Sequence, residues 1–211
     1  MGSQGPFRDN SFTQFFNPSN TGVPFFQIFD ENFRDILGTS PSFYEIASNS
    51  TFAFAHEAPI YDPETDEVFF ASNIGGPSSV IRKISMADVE AALKALPAEG
   101  SNTVNVPVTE VIFFPFLVRL CFLIYLFLRQ INLPDSIQMT NGGTGPYYSS
   151  LLLVTSGFGS LPPSVALVNP RSPDDVKVIL DNYYGRQFNS LNDIKIHRPS
   201  GNFIFTDVEY V

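Results

Sequence analysis

Three stretches of this chain repeat one frame, and that repetition limits its fold more than any other feature. The first, AFAHEAPIYDPETDEVFFAS, runs from Ala53 to Ser72. Small and apolar residues lead to Glu57, the polar cluster DPETDE turns the chain, and Val68-Phe69-Phe70 runs back. The frame returns as NDIKIHRPSGNFIFTD from Asn192 to Asp207, and a third copy runs from Asn141 to Ser156. In each copy fifteen positions separate the head from the last residue, and the head is Glu or Asn, a side chain that offers an oxygen. Apolar runs on either side of a polar turn predict hairpins. Units of this size cannot bury their apolar faces alone and must stack on one another.

The remaining text fits a blade-like unit. Val80 to Ile84 predicts a third strand, and Ser85-Met86-Ala87-Asp88 is a capping-box signature for a short amphipathic helix over 87–96. Thr103 to Val108 predicts a fourth strand. In the second unit, SVALVNP and DDVKVILDN supply two strands after the hairpin. Asn141 and Asn192 are 51 residues apart, the size of one four-stranded propeller blade. The expected fold is all-β, a six-bladed β-propeller type truncated to about three blades, with one short helix insertion. Residues 1–49 read as an N-terminal leader packing on the domain, with Phe7, Phe12, Phe15 and Phe16 as its anchors. Residues 50–211 read as the partial propeller, interrupted by an apolar insert at 111–130.

That insert, VIFFPFLVRLCFLIYLFL over 111–128, is long enough to cross a bilayer, and Arg119 at its centre makes it a marginal membrane helix. A single crossing would place the first unit and the next two on opposite sides of a membrane, although they must bury faces against each other. Three readings stand: a membrane helix, an apolar loop insertion, and read-through of an unspliced intron. The abrupt edges favour the third.

A net charge of −9 excludes the basic surface that phosphate backbones require, so no nucleic-acid partner is expected. With Cys121 alone, no internal disulfide forms. The chain opens without the pattern of a secretory signal, which points to the cytoplasm, with a membrane location only through 111–128.

In a propeller the first strands of all blades converge on a central channel, so Glu57, Asn141 and Asn192 would face one point. One carboxylate and two amide oxygens form a hard set suited to calcium, magnesium or manganese, and less to zinc. His56, next to Glu57, falls on the opposite face and reads as structural, His197 as solvated in a turn, and Tyr183 and Tyr184 as blade packing. Asp207 reads as a residue that hydrogen-bonds a strand corner or lines the site. Ser150, Ser156 and Ser190 lack a nucleophile elbow.

NSLNDIKIHRPSGNFIFTDVEY, from Asn189 to Tyr210, resembles the Asn-Ser-Pro-Asn-Asp … Gly-x-x-x-Phe-Thr-Asp-Pro-x-Tyr-Gly segment of the gluconolactonase and senescence-marker-protein (regucalcin) family. HEAPIY, from His56, resembles that family's Glu-Gly-Pro-x-Trp motif, and MTNGGTGPY, from Met139, is similar to its fungal lactonohydrolase branch. The resemblance covers roughly 50–110 and 131–211. It implies a divalent cation, usually calcium, that polarises the carbonyl of a small-molecule lactone or ester while a carboxylate activates water. It further implies Glu57 and Asn192 as metal ligands and Asn141 as a substrate-contacting or metal-adjacent residue. Leu191 replaces the family's Pro, Tyr61 its Trp, and Val208 and Val211 its Pro and Gly, while Met139 stands where some members carry a substrate-binding Arg. The family's last ligand, an Asp that doubles as base, is expected beyond Val211, so the chain as written is expected to be inactive alone. A non-catalytic propeller fragment and a membrane-tethered binding protein are the competing readings.

Overall fold

A computed structural model of the chain describes residues 30–38, 41–73, 79–96, 106–110, 139–172 and 175–209, with single positions at 26, 28, 104 and 137. The apolar segment 111–128 and the leader phenylalanines lie outside the described residues. The chain divides into two compact units, Met1–Glu45 with Gly100–Thr103, and Ile46–Glu99 with Val104–Val211. In the first, the helix α1 (Phe33–Leu37) ends at Gly38, whose φ of 77° lets its N–H reach Arg34 O at 2.8 Å.

The described residues of the second unit are all-β apart from one helix. Its first sheet is an antiparallel meander of β1 (Ala53–Asp62), β2 (Glu67–Asn73), β3 (Ser79–Ser85) and β4 (Thr109–Glu110). The helix α2 (Met86–Lys94) leaves the end of β3. A second meander joins β5 (Thr140–Tyr147), β6 (Ser150–Thr155), β7 (Val165–Val168) and β8 (Val176–Leu180). The hairpin β9 (Asn182–Tyr183) and β10 (Arg186–Gln187) follows, and then the pair β11 (Leu191–His197) and β12 (Asn202–Asp207).

The sheets pack face to face, and the alternation of β6 shows how. Leu151 and Leu153 join Ile60, Phe69, Ala71 and Ile81 in a core between the first and second sheets. Leu152 and Val154 point the other way, onto Leu191 and Ile194 of β11. A strand buried on both faces must be apolar throughout, which is why this stretch reads LLLV rather than alternating. The outer face of the first sheet is covered by Val89 of α2 together with Val104 and Val106, with Ile46 and Ala47 against them.

Four expectations are corrected in detail. Of the run from Thr103 to Val108, the described residues Val104 and Val106 to Val108 form no strand, and among the described residues it is Thr109–Glu110 that pairs with β3, at Lys83 and Arg82. Pro107 in that run has no N–H to give a ladder, and Val106 donates instead to Ile46 O at 3.1 Å. The capping box at Ser85 is not formed: the Ser85 side chain makes no cap, and the Met86 N–H is taken by Asp66 O at 2.9 Å. Tyr183 and Tyr184 do not pack a blade. Tyr183 ends β9 and Tyr184 opens the two-residue turn to β10, with positive φ at Tyr184 and Gly185 as a type I′ hairpin requires, and the two are 66% and 93% exposed. His56 is exposed, because a register shift between Ala53 and Glu57 resets the alternation of β1.

Candidate functional site

The residues singled out by the sequence lie in the middle of β1 and at the start of β5 and β11, and these three strands are neighbours: β5 packs against β1 on one side and β11 on the other. Each carries the same irregularity. After Glu57↔Ala71, β1 resumes pairing at Ile60↔Phe69. After Thr140↔Thr155, β5 resumes at Gly143↔Leu153, and after Leu191↔Asp207, β11 resumes at Ile194↔Phe205. Two residues on the first strand therefore oppose one on the second, a β-bulge at the same phase in three sheets. Ala58-Pro59, Asn141-Gly142 and Asn192-Asp193 occupy the bulges.

This register refines the repeat. Asn141 and Asn192 are equivalent to Ala58, and Glu57 stands one position ahead of them. Ala58 adopts φ of 55°, a left-handed conformation that costs an L-residue about 1–2 kcal/mol and is sustained here by full burial of its methyl group.

The bulges abut. A Cβ on Gly142 would lie 2.5 Å from Asn192 O and 2.6 Å from Asp193 Oδ1, and one on Gly143 would lie 2.9 Å from the Ala58 Cβ. Only the missing side chains of Gly142 and Gly143 let the three strands approach this closely. The Asn141 side chain is buried and its Nδ2 donates to Ser156 Oγ at 3.5 Å, which turns its oxygen away from that serine. Glu57 is half-buried. Asn192 and Asp193 are half-buried at the other side of the seam.

Asp207 closes a strand corner. Its Oδ1 accepts from Asn189 N at 2.8 Å and Ser190 N at 3.0 Å, and its Oδ2 from Asn189 Nδ2 at 3.3 Å. This fixes the chain just before β11 and thereby the position of Asn192. His197 ends β11, exposed, with Nδ1 2.7 Å from Ser200 Oγ.

Two residues at the seam escaped the sequence reading. Asp193 Oδ1 accepts from Ile194 N at 2.8 Å and from Lys195 Nζ at 3.3 Å, and Lys195 Nζ also donates to Gly143 O at 3.2 Å. The only signal in the sequence is that both residues follow Asn192 closely. Among the described residues, no group of three or more His, Cys, Asp and Glu side chains is placed to hold a metal ion. An oxygen site here would draw on amides and carbonyls beside its carboxylates. No helix among the described residues is long and apolar enough to cross a membrane.

No family model, curated protein or solved structure matches the chain.

Proposed function

We propose that this chain carries part of the site of a divalent-metal-dependent lactone or ester hydrolase of the gluconolactonase and senescence-marker-protein type, built on propeller blades. The observation that carries this reading is the matched trio of bulges in β1, β5 and β11, brought into contact by Gly142 and Gly143. Four-stranded meanders stacked face to face, with their first strands side by side, are what successive blades look like.

In this reading Glu57 and Asn192 hold a hard cation, calcium foremost, and Asn141 contacts the cation or the substrate. The cation would polarise the lactone carbonyl. The chain's own residues hold the oxygens in place: Asp207 anchors the approach to Asn192, and the buried amide of Asn141 is oriented by Ser156.

Thermal melting in a calcium titration tests this. A cation that binds only the folded chain at about a hundred times its Kd adds about 2.7 kcal/mol, which for a chain of this size raises Tm by about 5 °C or more. Glu57→Gln, which removes the charge and keeps the shape, should abolish the rise. Equal calcium responses in the two proteins would defeat the proposal. Hydrolysis of a panel of small lactones by the calcium-loaded chain then separates an enzyme from a cation-binding scaffold.

A further inference from the structure

Lys195 lies on the face of β11 opposite Ile194 and Ile196, the two isoleucines packed toward the second sheet, yet its ammonium reaches a carbonyl of that sheet. Its long stem must therefore pass over the edge of β11 to reach β5. There the ammonium lies between Gly143 O at 3.2 Å and Asp193 Oδ1 at 3.3 Å, two oxygens from different sheets. The place is the seam between the bulges, since Asp193 Oδ1 and Asn192 O are also the atoms pressed against Gly142. Lys195 and Asp193 side chains remain 63% and 47% exposed, so a hydrated ion can reach both.

Oxygens that converge on an ammonium converge equally on a metal cation, and more strongly on one of double charge. Calcium takes six to eight oxygens, carboxylates and backbone carbonyls among them, and its affinity follows the number of charged ligands. Glu57 alone supplies one negative charge; Asp193 would supply the second and so neutralise a divalent ion.

We propose that Asp193 and the carbonyl of Gly143 are ligands of the cation bound at the aligned bulges, and that Lys195 is a tethered ammonium which holds these two oxygens until the metal displaces it. The inference rests on the reading of Glu57 and Asn192 as metal ligands. It adds a carboxylate from within the described strands and a built-in competitor.

Isothermal titration of calcium chloride into the full chain and its Asp193→Asn, Lys195→Met and Glu57→Gln variants tests it, with circular dichroism to show that each variant is folded. Asp193→Asn should weaken calcium binding at least tenfold. Lys195→Met should tighten it about tenfold, the factor that corresponds to the repulsion in water between a doubly charged ion and a single positive charge about 6 Å from it. If calcium binds and neither substitution changes its affinity, the Asp193–Lys195 contact is an ordinary surface ion pair and the proposal is wrong. If those two substitutions act as stated while Glu57→Gln does nothing, the seat at Asp193 stands and the assignment of Glu57 fails. No calcium binding by any of the four proteins overturns both.

Discussion

Tyr61 shows how a single side chain can stiffen the hairpin that follows Glu57. Its hydroxyl donates to Asp66 Oδ1 at 2.8 Å, tying the end of β1 to the turn before β2. That hydrogen bond, ahead of burial and the negative charges of Asp66 and Asp62, raises the phenol above its ordinary value of 10.0. The fold thus favours the protonated phenol. Its contribution to stability is complete below the ordinary tyrosine pKa and is lost as pH rises through the higher folded value. Ring-carbon chemical shifts followed by NMR should show Tyr61 titrating above the ordinary tyrosine value, and Asp66→Ala should bring it down toward that value. The same titration with and without the Asp66 carboxylate would mean the bond is not kept in solution. That Glu57, Asn141 and Asn192 head one repeated frame, and so stand at or beside the aligned bulges, was legible because side-chain type and spacing are local properties. Lys195 on Gly143 was not, because that contact joins residues 52 apart and exists only once the sheets have stacked. The one-position offset of Glu57 was hidden for a related reason: a bulge is defined by its partner strand, and the sequence of one strand does not contain it.

At the scale of elements, the first and second sheets are joined by charge as well as by their core. Asp62, at the end of β1, is 1% exposed and its Oδ2 lies 2.8 Å from Arg171 Nη1 in the connection between β7 and β8. The same nitrogen is 3.1 Å from Glu64 Oε2, and Arg171 Nη2 donates to Ser149 O at 3.0 Å. One guanidinium therefore ties the end of β1, the β1–β2 turn and the β5–β6 turn to the loop that carries it, on the fork geometry that only Arg provides. Removing it would strand a buried carboxylate, whose second oxygen is held by Glu64 N at 3.0 Å. Arg171→Met should cost about 3 kcal/mol or more in urea denaturation, while Asp62→Leu with Arg171→Met should recover a large part of that loss. A single substitution that costs under about 1 kcal/mol would show the pair to be solvated. The strands themselves were largely readable, β2, β3, β6 and β7 within a residue or two, because each is a short β-branched or apolar run between turns. This clasp was not, since Asp62 and Arg171 stand 109 positions apart and each reads alone as an ordinary surface charge.

At the scale of the molecule, the two flanks of segment 111–128 share one core. Phe69, Ala71 and Ile81 on one side of it pack with Ile137, Leu151, Leu153, Ala166 and Val168 on the other. A single membrane crossing between Glu110 and Ile137 would pull these residues apart, which is the physical case against a one-pass anchor at that place. The same core says what the intervening stretch has to do for the fold, namely connect β4 to β5. Loop closure depends only weakly on length, so a flexible linker of about eight residues in place of 111–130 changes the closing entropy by less than about 1 kcal/mol. If the sheets are built by the residues that surround the insert, such a variant should melt within a few degrees of the full chain. It should also keep its calcium response, because Glu57, Asn141 and Asn192 lie outside the replaced stretch. It should further gain solubility, having lost a long and almost wholly apolar run. A collapse of the cooperative transition in the linker variant would show instead that 111–130 supplies contacts on which the stacked sheets depend.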